Sequence, residues 1–528
     1  MVAMNKELRK ALALDQIFEL ITLEGEMLSQ ARHAGLKAET GDINRLRADY
    51  ARIGDLMRLA TDNARLRKLE SLLPHFGVPA IPQPGDLLGM GELFEIKSFI
   101  YHYRQLVAFC REHKLNKNYD FPELEALYKK LDPEGLNLPS FRLCPAFSAE
   151  LAKLYGNRDE LQLKLKTQTA KDLKAAAKSL ELPHLKEEFV ISRARKDLAD
   201  KLIASGLYHL ASEDIANLRF RLAESEESAQ ITQQLASLLK AVKAAEEKVL
   251  QSLTDNILLA KEQLKVAIES VSRFSWDFLR AEFGIRYHCC IPKLNEAGAI
   301  RLKAARNLAT QLCLEQQDRQ YQAQDLDFGS RVSLITGPNM GGKTNILVTL
   351  GQHAQMARLA IPLASKAAEL PVFDHVSYNY NPHQENLSSF GREIIGLKQA
   401  LSAGQRSLIL LDEFAKGTNP TEGEALSSAV LLHLLGTDHY CVAATHFTAP
   451  AMLKDIAQYV MAGLKEDSLA KLAEHSDLAQ RLKLLSEAMD YRLIRLKKNQ
   501  APPMAAIRIA RALGLPKEIL DILEGIND

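Results

Sequence analysis

Apolar residues recur at helical spacing from the N-terminus to about residue 125. Ile17, Leu20, Ile21 and Leu28 share one face, and 43–73 keeps the same period until Pro74 and the turn Pro82-Gln-Pro84-Gly85 interrupt it. The pattern predicts an all-helical scaffold. Beyond a second break, Asp132-Pro-Glu-Gly-Leu-Asn-Leu-Pro139, a charged helical stretch runs from about 147 to 180 and carries more Lys and Arg than Asp and Glu. From Ile231 onward Leu235, Leu238, Val242, Ala245, Val249, Leu253, Ile257, Ala260, Leu264, Ile268 and Val271 step by threes and fours. Such a seam belongs to one long helix or to one arm of a helical hairpin, and it needs a partner helix. The charged stretch, running antiparallel, would supply it, with 187–222 as the tip. An ordinary core helix in a bundle has the same periodicity. After Gln320 the texture changes: β-rich runs at 332–336, 372–380, 407–411 and 440–445 alternate with helical segments, an α/β pattern.

These changes of texture put domain boundaries near 125, 270 and 320. The fold class is multidomain, mainly α plus α/β. Charge adds little, since 67 basic residues face 66 acidic ones, so no global field draws the chain to nucleic acid or membrane, although local basic faces remain open. Six cysteines are scattered without metal-ligand spacing, which suits a reducing compartment. No stretch is long and uncharged enough to span a bilayer. The expectation is a soluble, cytoplasmic protein.

Candidate chemistry concentrates in the α/β region. Gly337-Pro338-Asn339-Met340-Gly341-Gly342-Lys343-Thr344 lies between a buried strand and a helix, where a phosphate-binding loop must sit. Its glycines let backbone N–H groups converge on phosphate oxygens, Lys343 adds a point charge for the β/γ-phosphates, and Thr344 offers a hydroxyl to Mg²⁺. ATP and Mg²⁺ are the expected ligands. About seventy residues on, the strand 407–411 ends in Asp412-Glu413; this places Asp412 near the metal and makes Glu413 the candidate general base for the attacking water. His446 closes the next apolar run, Ala443-Ala444-Thr445, where it can hydrogen-bond the γ-phosphate or the water. Ser388 and Ser389 open a helix that continues through Ile394 and Leu401. They can act as caps, or their helix N-terminus can grip a γ-phosphate, including one held by a second subunit.

Together, the loop at 337–344, Ser388-Ser-Phe390, Leu410-Leu-Asp-Glu413, Lys416-Gly-Thr-Asn-Pro-Thr-Glu-Gly423 and Ala444-Thr-His446 resemble the ATPase domain of the MutS family, within the ABC-type superfamily. Outside it, Asp277-Phe-Leu279 and Leu302-Lys-Ala-Ala-Arg306 look like the segment preceding that domain. The early helices look like the family's core or lever, the paired arms like its clamp, and 507–516 like its C-terminal helix-turn-helix. The resemblance implies a lever at 1–145, clamp arms at 146–270, a returning core segment at 271–325 and the ATPase at 326–528. It also implies dimers, homomeric or with a MutS-like paralogue, joined through the ATPase domains. Each composite site would take Lys343, Thr344, Asp412, Glu413 and His446 from one subunit and Ser388 from the other, with 416–422 along the interface.

There are departures from the pattern. The family's mismatch-recognition and connector domains have no counterpart here, Asn307-Leu308 stands where many members have His-Pro, and Met504-Ala-Ala506 replaces a more polar stretch. The resemblance implies an ATP-driven clamp on DNA, related to repair or recombination but without mismatch reading. Basic residues on the arms and at Arg193-Ala-Arg-Lys196 either neutralise DNA phosphates or simply solvate an exposed face. The alternative is an ATP-driven remodeller that reactivates a protein partner, such as a cobalamin-dependent aminomutase.

Overall fold

The computed structural model describes residues 6–59, 62–337, 342–379, 389–464, 489–496, 515–516, 518–519 and 522. The expected helix-turn-helix at 507–516 lies almost wholly outside these residues. Two compact units share the chain: Gly77–Ala108 with Asp120–Ile268, and Met1–Phe76 with Phe109–Tyr119 and Glu269–Asp528.

The first of these units contains two long helices, Ala149–Leu180 and Glu226–Leu259. Each starts at a serine whose hydroxyl satisfies an otherwise orphaned backbone donor: Ser148 accepts from Leu151 N–H at 3.0 Å and Ser225 from Ser228 N–H at 3.2 Å. They run antiparallel, as three cross-helix pairs show. Tyr155 donates to Glu246 at 2.7 Å, Lys248 pairs with Glu150 at 3.2 Å, and Ser228 donates to Asp172 at 2.5 Å. Val242, Ala245, Val249, Leu253 and Ile257 form the buried seam. The apolar periodicity continues past Leu259, yet the backbone does not: Ala260 leaves helical geometry and a new helix, Lys261–Arg286, begins. Neither Gly nor Pro marks this break in the sequence.

Between the long helices lie β1 (Glu188–Ser192), the helix Lys196–Ala204, β2 (Tyr208–Glu213) and β3 (Asn217–Leu222). The strands form an antiparallel sheet in the order β1-β3-β2. Its core joins Phe220, Tyr208, Ile191 and Leu202 to Ala176 and Leu180 at the end of the first long helix.

The other unit holds β4 (Lys293–Asn295), β5 (Ile300–Ala305), β6 (Gln324–Phe328), β7 (Val332–Thr336), β8 (Ala367–Pro371), β9 (His375–Tyr378), β10 (Ser407–Asp412), β11 (Tyr440–Ala444), β12 (Ala457–Leu464) and β13 (Met489–Arg495). One sheet runs β4-β8-β5-β6, the other β13-β12-β7-β11-β10-β9. In the larger sheet the strands from β12 to β9 are parallel, and β13 is antiparallel on the edge. A parallel strand covered on both faces must be apolar throughout, and every residue of β7 and β11 is buried. Alternate side chains of β10 serve opposite layers. Ile409 and Leu411 join the cluster with Leu397, Leu431 and Leu434, whereas Leu410 lies against Gly351 of the helix Lys343–Arg358 on the other face.

Register then fixes where the strands stop. Ile335 of β7 is level with Ala444 of β11, which is level with Asp412 of β10. The residues that follow these three strands therefore emerge side by side at one sheet edge, where open parallel sheets place their ligands.

Candidate functional site

Gly337 leaves β7 with φ of 128° and Gly342 enters the next helix with φ of 87°, conformations that L-residues rarely adopt. Space is also short: a Cβ on Gly337 would lie 3.1 Å from Met461, and one on Gly342 3.0 Å from Tyr491. Pro338, Asn339, Met340 and Gly341 lie outside the described residues, as does Ser388. The helix beginning at Lys343 aims its unsatisfied N–H groups back toward the strand end, a built-in anion site.

Lys343 is buried, and its ammonium donates to the Gly337 carbonyl at 2.7 Å and lies 2.9 Å from His446 Nε2. Burial pulls its pKa down to about 8, against the raising charges of Glu413 and Asp412. Thr344 donates to Asp412 Oδ2 at 2.8 Å. The two hard oxygens suit Mg²⁺, which keeps several of its own waters and needs few protein ligands. No group of three or more His, Cys, Asp or Glu arranged to hold a metal occurs among the described residues.

Glu413 turns out of β10 in the left-handed region, with φ of 52°, while its N–H still pairs with Ala444 O at 2.9 Å. A non-glycine residue held this way stores strain, here at a strand end among charged groups. Its carboxylate pairs with Lys416 and lies 3.3 Å from His446 Nε2. Burial would raise its pKa, but the hydrogen bond and charge of Lys416, aided by His446 and Lys343, outweigh burial and hold it below the usual value. The pKa of His446 is lowered, first by burial and then by Lys343. Its Nε2 thus lies between the Lys343 ammonium and the Glu413 carboxylate, which oppose each other's effect on its charge.

Lys343, Thr344, Asp412, Glu413 and His446 thus converge, drawn from three strand ends. Sequence reasoning did not single out Tyr378, whose hydroxyl donates to Asp412 Oδ2 at 3.1 Å from the end of β9. The apolar run containing it was legible, but only the register pairing Tyr378 with Leu410 brings its hydroxyl to Asp412. Lys416, which the family resemblance puts in an interface segment, also partners Glu413 within the chain. Behind that turn, a Cβ on Gly423 would lie 2.7 Å from Ala415 O, so the helix Pro420–Leu435 approaches the Glu413 loop closely only because residue 423 lacks a side chain. Asn307 caps the helix Leu308–Glu315 and donates to Asn345, the residue after Thr344, at 2.9 Å. It therefore buttresses the helix that carries Lys343.

Residues 333–526 match the family model for MutS domain V, the family's ATPase domain. Endonuclease MutS2 of Brevibacillus brevis is 27% identical over 334 residues, which is 61% of this chain and 39% of that protein. Endonuclease MutS2 of Halothermothrix orenii is 34% identical over 226 residues, 40% of this chain and 28% of the relative. That of Solidesulfovibrio magneticus is 32% identical over 301 residues, 55% and 36% respectively. The matched part spans well under half the length of each relative. MutS-family ATPases generally use ATP with Mg²⁺ and act as dimers on DNA. Among the described residues no helix is long and apolar enough to cross a membrane. Residues 333–526, which carry the strand-loop-helix site, are thus similar to the ATPase domain of the MutS family.

Proposed function

We propose that this chain is a MutS-type ATPase whose sites are completed across a dimer and whose hydrolysis cycle drives a helical clamp on DNA. The observation that carries the reading is the convergence of Lys343, Thr344, Asp412 and Glu413 at adjacent strand ends. The loop 337–344 and the helix N-terminus cradle the phosphates of ATP, and Lys343 exchanges its contacts with Gly337 and His446 for phosphate oxygens. Thr344 and Asp412 would hold Mg²⁺, which would supply positive charge to offset that of the phosphates. Tyr378 fixes the Asp412 carboxylate. Glu413 orients the attacking water and accepts its proton, its depressed pKa keeping it ionised and ready, while His446 senses the γ-phosphate. Ser388 of the opposite subunit closes the site, and residues 416–422 line the junction.

The paired helices Ala149–Leu180 and Glu226–Leu259 serve as the clamp, with the lever at 1–145, the returning core at 271–325 and the ATPase at 326–528. Several basic side chains near the three-stranded sheet are already paired, Arg219 and Arg221 with Glu188 and Arg193 with Glu213. Arg195 and Lys196, both exposed, are better placed to meet phosphates. None of the relatives reported above bears a name that points to remodelling of a protein partner, so the DNA reading is preferred.

DNA binding by the full chain is expected to depend on nucleotide and to weaken steeply with salt, log K falling by about 0.9 per phosphate neutralised for each tenfold rise in salt. Fluorescence anisotropy with duplex, mismatched and branched DNA checks this. No nucleotide-sensitive binding to any of the three would overturn the DNA assignment.

A further inference from the structure

A second concave site lies within the unit that holds the nucleotide loop, at the far end of the helix Lys343–Arg358. Three helices contribute to it. Ile43–Leu59 presents Arg45, Asp49 and Arg52, and Lys261–Arg286 presents Arg273, Trp276, Asp277 and Arg280, sets spaced by three and four so that each shares one helix face. Arg358 and Leu359 come from the C-terminal end of the third helix. Together they enclose a cavity of about 360 Å³.

The charges in this wall do not balance. Asp277, fully buried, accepts from Arg52 Nε at 2.7 Å, from Tyr119 OH at 2.9 Å and from Arg280. Asp49 pairs with Arg52, and Glu39 accepts from Arg358 at 2.9 Å. Arg280 also donates to Leu359 O at 2.8 Å and lies 4.9 Å over the Trp276 ring, yet its buried Nε has no partner among the described residues. Arg45 and Arg273 are exposed, with no side-chain partner among the described residues. Five guanidinium groups thus face two carboxylates in the wall, Asp49 and Asp277, while Glu39 and Asp374, outside it, act on Arg358. Gly35 lets Trp276, part of the wall, pack directly on the backbone, since a Cβ there would come within 2.3 Å of the indole.

A helix C-terminus repels anions, so an anion site here requires that the carbonyl end be covered. Arg280 covers it by binding Leu359 O. Excess guanidinium charge in a concave wall of low polarisability concentrates the field inward and favours ligands with several oxyanion groups. We propose that this cavity binds a small phosphorylated molecule carrying two or more negative charges, at a site distinct from the nucleotide loop. Arg45 and Arg273 would grip its phosphoryl oxygens, with Arg52 deeper in the wall. The sixteen-residue helix between the two sites spans about 24 Å, so occupancy here bears on the same rigid element whose first residue is Lys343.

The test is calorimetric titration of inorganic pyrophosphate into the full chain carrying Lys343→Ala, which weakens binding at the nucleotide loop. The expected result is saturable binding of one equivalent, weakened at least tenfold when Arg45→Glu and Arg273→Glu are added. Both positions are exposed, so charge reversal leaves the core intact. If the Lys343 variant folds poorly, the double reversal should instead remove one equivalent from the otherwise unmodified chain. Absence of saturable binding, or affinity unchanged by the reversal, overturns the proposal. So does stoichiometric displacement of pyrophosphate by a short DNA duplex, which would give the site to a nucleic-acid backbone. None of these outcomes bears on the ATPase reading.

Discussion

Glu413→Gln is expected to lower ATP turnover by about 10²- to 10⁴-fold, the range for losing a positioned general base, while ATP affinity changes little. The substitution keeps the side chain's shape and an oxygen for Lys416 to bind, but the amide cannot take a proton from water. Glu413 is suited to the role because Lys416, His446 and Lys343 overcome the effect of burial and keep it ionised. Steady-state hydrolysis and equilibrium nucleotide binding, measured on the same preparation, separate the two effects. Turnover within a few-fold of wild type would remove Glu413 from the chemistry.

Lys343→Ala should instead act on binding, weakening ATP by about 10- to 150-fold if one charge-assisted contact worth roughly 1.5–3 kcal/mol is lost. The effect carries a pH signature. Below pH 8 Lys343 is charged in both folded and unfolded chains, and the fold bears its desolvation. Between about 8 and its ordinary 10.5 the unfolded chain holds the extra proton, so this group's contribution to stability rises with pH in that window. Phosphate binding has the opposite sign, because it needs the ammonium. Affinity for ATP should therefore fall above pH 8, by up to about tenfold per pH unit, with uptake of a proton on binding. Calorimetry in buffers of different ionisation enthalpy detects that proton. The Ala variant should show neither the proton uptake nor the slope.

Legibility in the sequence followed distance along the chain. The phosphate loop and Asp412-Glu413 are contiguous motifs attached to buried parallel strands, whose unbroken apolar runs announce themselves. The long helices were legible from their seam, but its break at Ala260 was not, because the residue there is a good helix former and the apolar spacing runs straight on. The three strands of 188–222 were missed as strands. They are short, and most of their side chains are exposed, so little alternation survives to be read. Tyr378 needed sheet register to reach Asp412. The arginine-walled cavity needed residues 45, 273 and 358 to meet, which no local pattern encodes.

The composite site is tested most directly by mixing Lys343→Ala subunits with Ser388→Ala subunits and measuring ATP turnover. Each variant alone should be nearly inactive. After random re-pairing, half the dimers are mixed and each has one intact site, so turnover should recover to about a quarter of wild type. Turnover that stays at the level of the separate variants, with mixed dimers shown to form, would contradict an ATPase site completed by Ser388 from the opposite subunit.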